Sequence, residues 1–245
     1  MQSGRAGRRP GRATLDPAGR GGDDATVNWS YARPWALSVE VALAATALNA
    51  LVAIPLAYLL ARRRFPGRWL LDSALLLPLV LPPTVVGFLL MLLLGKQGLY
   101  GWITGASLLF TLKAAVIASA IVSFPLQVLP IRAAFAALPR EFDEEARIAG
   151  LSAWQRLIHI AIPLARGGIL SGLLLGFARA LGEFGATLML LGTSERTRTL
   201  PIQIYFDAGI TFDYAAAWPA AVALALTSLT VIVVAHKLNW LDAER

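Results

Sequence analysis

The chain has 245 residues, of which 57% are apolar and only 15% are charged. A soluble domain has about a quarter charged and about half apolar residues, so this composition indicates a membrane protein. The sequence contains no cysteine, which excludes disulfides, zinc–thiolate sites, iron–sulfur clusters and thiol nucleophiles. The formal net charge is +7. The basic residues lie between apolar runs and form no continuous basic face, so we expect them to set the membrane topology and not to bind nucleic acid.

Residues 1–34 are rich in Arg, Gly, Pro and Asp, which is typical of a disordered tail. No apolar core follows the early arginines, so the tail is not a signal peptide. Five apolar segments follow, at 35–61, 69–94, 107–131, 167–192 and 215–236. Each has 22 to 27 residues, enough to cross a hydrocarbon core that needs about 20 helical residues. The sequence therefore predicts an all-α polytopic membrane domain over 35–240 with five transmembrane helices.

The basic residues predict the direction of these helices. If the first segment ends in the cytoplasm, the cytoplasmic segments carry eleven Lys and Arg residues and the outer loops carry four. This bias places the N-terminus outside and the C-terminus in the cytoplasm. The tail adds six arginines to the outside and removes the bias, so we expect the natural start downstream of most of it, near Val27.

Prolines interrupt the first three segments. A proline removes a backbone donor, and in lipid the freed carbonyl needs a new partner, so such breaks often line a cavity. A kink that only shapes packing is the alternative for any single proline. The adjacent Pro82 and Pro83, followed by Gly87, favour a true break in the second segment and are candidates for a pore.

The fourth segment carries a stripe of small residues and a buried charge pair. Gly168, Gly172 and Gly176 recur at four-residue spacing, which favours close helix packing within one subunit over a pore wall or a dimer seam. Arg179 lies at mid-segment with Glu183 one turn later, flanked by Gly182 and Gly185. A charge at this depth normally faces a bundle interior or a wet cavity. The pair is therefore either a self-neutralised structural contact or part of a translocation path.

The longest internal polar stretch, 132–166, is predicted to be a cytoplasmic loop. Pro139 can begin a helix that Gly150 ends, and Ser152 can cap a second short helix that Pro163 stops. Two short helices joined at a Gly-Leu-Ser corner suit docking in a groove of another protein.

This loop resembles that of the permease subunits of ATP-binding-cassette importers, which reads Glu-Ala-Ala, three residues, Gly, nine residues, Ile, any residue, Leu, Pro. Two positions depart from the pattern, since Glu145 replaces the first Ala and Ile162 replaces Leu. The resemblance assigns the following residues to coupling with the ATPase: Glu144, Glu145, Ala146, Gly150, Leu151, Ser152, Ile160 and Pro163.

Other stretches look like the permeases of molybdate importers. They are Leu77–Gly87, Ser123–Leu126, Phe177–Thr187 and Thr197–Pro201. Sulfate and tungstate permeases share many of these motifs, so the resemblance indicates the oxyanion class more firmly than the metal. The resemblance places a path and gate along the second and fourth segments, with these candidates: Pro82, Pro83, Thr84, Gly87, Arg179, Gly182, Glu183, Phe184, Gly185 and Thr187.

The resemblance also implies the assembly. We expect a homodimer in the bacterial cytoplasmic membrane, with two ATPase subunits inside and one periplasmic oxyanion-binding protein outside. Arg196 and Arg198 are then on the outer face, either contacting the binding protein or solvated. ATP and Mg²⁺ belong to the ATPase, so we expect no catalytic residue, metal or cofactor in this chain.

Three other classes of protein fit the sequence less well. An ATPase needs a P-loop, but the Gly95-Lys96 pair is followed by Gln97 instead of Ser or Thr. An ion-coupled secondary transporter usually has several intramembrane carboxylates or histidines, and here Glu183 is the only carboxylate deep in a segment, since Glu40 and Asp72 lie near segment ends. An intramembrane enzyme lacks an evident acid–base set, because His159 and His236 fall at or beyond segment ends.

Overall fold

The computed structural model describes residues 31–243, with side chains described over 31–235 and at 237. Most of the predicted tail and the expected start near Val27 lie outside this range. The first helix begins at Ala32, three residues before the predicted first segment.

Helices joined by short turns make up the described chain. Their order is α1 (Ala32–Arg62), α2 (Arg68–Val80), α3 (Pro83–Leu94), α4 (Leu99–Thr104), α5 (Leu112–Ala137), α6 (Arg140–Ile148), α7 (Ala153–Arg156), a π-helical turn (Leu157–Ala161), α8 (Ile162–Leu164), α9 (Arg166–Leu181), α10 (Gly185–Leu191), α11 (Leu200–Tyr205), a second π-helical turn (Phe206–Ile210) and α12 (Tyr214–Ala243). The predicted all-α class is confirmed.

Four stretches of the described chain are long and apolar enough to cross a membrane. A fifth crossing results if Ala153–Leu164 and Arg166–Leu181, which meet at an angle of 84°, form one bent span. The fourth predicted segment, 167–192, instead covers α9 and α10 with a break between them. The third crossing, α5, runs on to Ala137, so the first residues of the expected 132–166 loop are still helical.

The second predicted segment is divided in two, as the proline pair predicts. Leu81 and Pro82 are extended, with ψ of 139° and 133°, and α3 begins at Pro83. A residue that precedes proline is pushed out of the helical region, which accounts for both conformations. The single prolines behave differently, since Pro55, Pro78 and Pro125 stay inside continuous helices.

The centre of the bundle is α5, which packs against α1, α9 and both halves of the broken spans. Small side chains on α1, including Ala45, Ala53 and Ala57, are fully buried and let the two long helices approach closely. Hydrogen bonds also connect α1 to α5. The Asn49 side-chain amide donates to Ala120 O at 2.9 Å and to Ser123 Oγ at 3.2 Å. This buried contact fixes α1 against α5.

The glycine stripe of α9 packs on α5 within the same chain. A Cβ added at Gly172 would lie 2.6 Å from the Gln127 carbonyl oxygen, and one at Gly168 would lie 2.2 Å from Ala134 Cβ. A Cβ added at Gly176 would lie 2.7 Å from Gln127 Oε1. The interpretation that favoured helix packing over a pore wall or dimer seam is confirmed for these glycines.

Candidate functional site

The polar stretch after α5 forms two helical arms that we call the elbow, Arg140–Leu164. Its first arm, α6, ends in a Schellman motif, in which the Leu151 N–H donates to Ala146 O and the Gly150 N–H donates to Arg147 O, both at 3.0 Å. Gly150 has a φ of +84°, with no atom within 4 Å of where a Cβ would stand. The corner therefore needs glycine for its backbone conformation and not for space, as the sequence predicts.

The second arm begins with a capping box. Ser152 Oγ accepts from the Gln155 N–H at 3.3 Å, and Gln155 Oε1 accepts from the Ser152 N–H at 2.8 Å. The predicted cap at Ser152 is confirmed. Gly150 and Ser152 thus fix the end of one arm and the start of the next, two residues apart.

The predicted stop at Pro163 is wrong. The second arm continues through the π-helical turn and α8, and the chain bends only at Ala165 (φ −99°, ψ 13°). Pro163 follows the turn in which the Ile162 N–H bonds to Leu157 O, and it lies in the first turn of α8. A proline is tolerated there because its missing N–H has no necessary partner. Pro163 is exposed, whereas Leu151 and Ile160 are half-buried.

An ion pair that the sequence did not predict closes the elbow. Arg156 on the second arm donates from Nε to Asp143 Oδ1 on the first at 2.9 Å, and from Nη1 to Leu151 O at 2.8 Å. The Tyr58 hydroxyl of α1 donates to the same Asp143 oxygen at 2.7 Å. The Tyr58 ring also packs edge-on against Phe135 of α5, with 5.5 Å between centroids. The elbow is therefore attached to α1 through Tyr58, whose ring packs on α5.

The two faces of α6 differ in exposure. Ala146 is buried, while Glu144 and Glu145 are exposed. Two large apolar side chains, Phe142 and Ile148, also remain exposed, Ile148 to 85%. A short polar helix with unburied apolar side chains at its outer face has the character of a docking element.

The two broken spans meet each other inside the bundle. The break between α9 and α10 ends at Gly185, where an added Cβ would lie 3.1 Å from Pro83 Cβ and 3.2 Å from Thr84 N. One turn after Pro83 on α3, Gly87 lies so close to α10 that an added Cβ would be 2.7 Å from Ala186 Cα. The structure thus brings together the candidates from the second and fourth segments, which are almost 100 residues apart in sequence.

The predicted charge pair lies at this junction. Arg179 Nη1 is 2.8 Å from Glu183 Oε2, and Glu183 Oε1 accepts from the Ala186 N–H at 2.9 Å. The Glu183 side chain is 1% exposed and the Arg179 side chain 25%. Glu183 therefore serves as both counter-ion and N-terminal cap of α10, and it holds a partly accessible cation beside the break.

The remaining pore candidates fall into an accessible group and a buried group. Pro82, Thr84 and Gly182 are exposed. Thr187 is buried, and its Oγ1 has no hydrogen-bond partner within the described part of the chain. Phe184 packs against Tyr205 with 5.2 Å between ring centroids. Pro83 and Phe184 are half-buried, as Arg179 is.

Arg198 is not a solvated loop residue. It is buried, with Nη2 donating to Thr193 O at 2.8 Å and Nη1 to Gln203 Oε1 at 3.2 Å. Its Cζ also lies 3.8 Å from the centre of the Phe206 ring. Arg198 thus holds the loop before α11 in place, and of the two predicted outer arginines only Arg196 is exposed.

Comparison with known proteins agrees with this architecture. Residues 53–240 match the family of binding-protein-dependent transport system inner membrane components. The chain is 42% identical over 175 residues to the molybdenum transport system permease protein ModB of Haemophilus influenzae, a match that covers 69% of this chain and 76% of that protein. It is 40% identical over 208 residues to the Mycobacterium tuberculosis protein of the same name, over 81% of this chain and 74% of that protein.

A solved structure has the same fold. An inward-facing MetNI methionine ABC transporter superposes with a TM-score of 0.65 at 15% identity, over 86% of this chain and 95% of that chain. The family match covers most of the sequence, and so the chain belongs to the binding-protein-dependent transport system inner membrane components.

Proposed function

We propose that this family member is the permease subunit of an ATP-binding-cassette importer for a tetrahedral oxyanion, most specifically molybdate. The observation that carries the proposal is the identity of about 40% over most of the chain to relatives named as molybdenum transport permeases. The elbow and the paired breaks supply the two parts that such a subunit needs, a contact for an external motor and a path.

The elbow is the proposed contact for the motor. Its exposed Phe142 and Ile148 would enter a groove on a cytoplasmic ATPase subunit, with Glu144 and Glu145 beside them. The capped corner at Gly150 and the Arg156–Asp143 pair make the elbow a rigid unit. A rigid unit transmits displacement, whereas a flexible loop would absorb it.

Helix α9 is the proposed lever between the elbow and the path. It begins at Arg166, directly after the elbow, and ends at Leu181 beside the paired breaks. Its 16 residues span about 24 Å, so a movement of the elbow reaches Arg179 and Glu183 through one stiff element. Closure of the ATPases would bring two elbows together and open the path outward.

The path runs along the paired breaks, where the partly exposed Arg179 offers a cation to an oxyanion. Glu183 limits how tightly an anion is held, because it competes for the same guanidinium. A site of this kind lets cargo pass, since strong unopposed binding would trap it. In the alternative, Arg179 and Glu183 only neutralise each other within the bundle.

The assembly proposed is a homodimer with two ATPase subunits and one periplasmic binding protein, in the bacterial cytoplasmic membrane. The N-terminus would be outside and the C-terminus in the cytoplasm, which places the elbow on the side of the ATPase. This chain would carry no catalytic residue, and ATP and Mg²⁺ would bind the partner.

Transport in proteoliposomes tests the proposal. The complex of this chain with candidate ATPase and binding-protein partners should take up labelled molybdate only when ATP and binding protein are both present. Excess sulfate should leave uptake unchanged. Equal uptake of sulfate or a strong preference for tungstate would favour those alternatives, and uptake driven by an ion gradient without ATP would indicate a secondary transporter.

A further inference from the structure

A cavity of about 940 Å³ lies where α1 ends and the elbow begins. Six arginines and only two carboxylates line it. One of those carboxylates, Asp143, is already paired with one of the arginines, Arg156. The cavity is large enough for a ligand the size of a lipid headgroup, and its excess charge is positive.

The remaining arginines of the cavity have no counter-ions in the described part of the chain. They are Arg62, Arg63, Arg64, Arg140 and Arg147. The Nε of Arg62 is buried and finds no hydrogen-bond partner among the described residues. A buried guanidinium N–H without an acceptor is costly, so an acceptor from outside the chain would be stabilising there.

The walls of the cavity are amphipathic. Pro55 and Leu59 come from the last turns of the apolar helix α1, and the exposed aromatic residues Phe65 and Trp154 also line the cavity. A small soluble anion needs polar groups on every side. A lipid needs a cationic pocket for its phosphate next to an apolar wall for its glycerol and upper acyl chains.

We infer that this cavity binds the phosphate of an anionic phospholipid of the cytoplasmic leaflet. The guanidinium groups of Arg62, Arg63 and Arg64 would hold the phosphate, because Arg pairs with phosphate oxygens in a bidentate manner. Since Tyr58 and Arg156 join the cavity wall to the elbow, the lipid would brace the elbow against the end of α1.

Native mass spectrometry of the full-length chain tests this inference. The protein, released from bilayers of mixed phosphatidylglycerol and phosphatidylcholine, should retain phosphatidylglycerol preferentially. The variant R63Q/R64Q should bind phosphatidylglycerol at least tenfold more weakly, since each basic residue contributes about a fivefold factor at a membrane surface. R63K/R64K, which keeps the charge but loses the bidentate guanidinium contacts, should recover the binding only in part.

The control K96Q/R196Q removes two exposed positive charges from loops predicted on the other side and should bind phosphatidylglycerol as the unmodified chain does. Unchanged retention in R63Q/R64Q, with normal elution on gel filtration, would overturn the inference. Displacement of the lipid by inorganic phosphate at millimolar concentration would also overturn it, because the site would then take a soluble anion. Persistence of lipid in the presence of phosphate supports the inference.

Discussion

The carboxylate of Asp143 and the guanidinium of Arg156, 2.9 Å apart, join two arms of the elbow that are separated by a glycine corner. The Arg156 side chain is 10% exposed and the Asp143 side chain 31%. Neither arm is long enough to be stable alone, since isolated helices shorter than about 12 residues are marginal in water. The elbow therefore depends on this pair and on its caps.

Replacing Asp143 with Asn should weaken the elbow. Arg156 loses its counter-charge, and the acceptor for Tyr58 becomes neutral, which we expect to cost about 1–2 kcal/mol after allowance for partial exposure. The thermal unfolding temperature should fall, and cargo-stimulated ATP hydrolysis in the complex should fall with it. Glu141→Gln is the matched control, because it removes an exposed carboxylate of α6 that has no ion pair with a described residue. Equal effects of the two changes would contradict the role of the pair.

Gly150→Pro should abolish cargo-stimulated ATP hydrolysis. Proline fixes φ near −65° and removes the N–H that bonds to Arg147 O, so the corner at φ +84° cannot form. Gly150→Ala should have a smaller effect, of about 1–2 kcal/mol, from left-handed strain alone. Gly105→Ala is the control, since Gly105 has a φ of +71° in equally open space outside the elbow. It should leave stimulation intact, and unchanged stimulation in Gly150→Pro would count against the elbow as the coupling element.

Glu183→Gln should impair transport while assembly is retained. Gln keeps an oxygen to accept from the Ala186 N–H but no longer offsets the charge of Arg179. Uptake of labelled oxyanion and gel filtration of the complex measure the two effects separately.

The double variant R179Q/E183Q decides between a path and a structural pair. If the pair only neutralises itself within the bundle, removing both charges should restore transport, because no unpaired charge remains. If Arg179 meets the anion, the double variant should stay impaired. Recovery of normal uptake would return the pair to a structural role.

Gly172→Ala should destabilise the bundle by about 1–3 kcal/mol, because the new Cβ would lie 2.6 Å from the backbone oxygen of Gln127 and neither helix can move without disturbing its neighbours. Gly182→Ala is the comparison, since its nearest contact would be Ala178 O at an ordinary 3.8 Å. Thermal unfolding in detergent should separate the two. A Gly172→Ala chain as stable as Gly182→Ala would contradict the tight packing of α9 on α5.

Local signals in the sequence predicted local structure well. The break at Pro82–Pro83, the corner at Gly150 and the cap at Ser152 each depend on a residue with restricted backbone or side-chain chemistry, and each is observed. The helix was predicted to stop at Pro163, but a π-helical turn precedes this residue, and no hydrogen bond from an N–H is needed at the proline position. Such a turn has no clear sequence signature.

Contacts between distant elements could not be predicted from one sequence. Nothing in the order of residues pairs Tyr58 with Asp143, which lie 85 positions apart, or places Gly185 on Pro83. Arg198 was expected on the outer face, either contacting the binding protein or solvated, yet it is buried on Phe206. Packing between elements that are distant in sequence determines where each of these side chains lies, and this packing cannot be inferred from the composition of the local segment.

If the elbow transmits force from a separate nucleotide motor, it must contact that motor, and site-specific cross-linking detects such a contact. The chain has no cysteine, so Ile148→Cys on the exposed face of α6 introduces one unique attachment point. In membranes that also contain the candidate ATPase, this residue should cross-link to the ATPase, with a yield that changes when ATP is added. Lys96→Cys, in a loop predicted on the outer face, should give no such product. Absence of the Ile148→Cys product, with both subunits present in the membrane, would contradict the account.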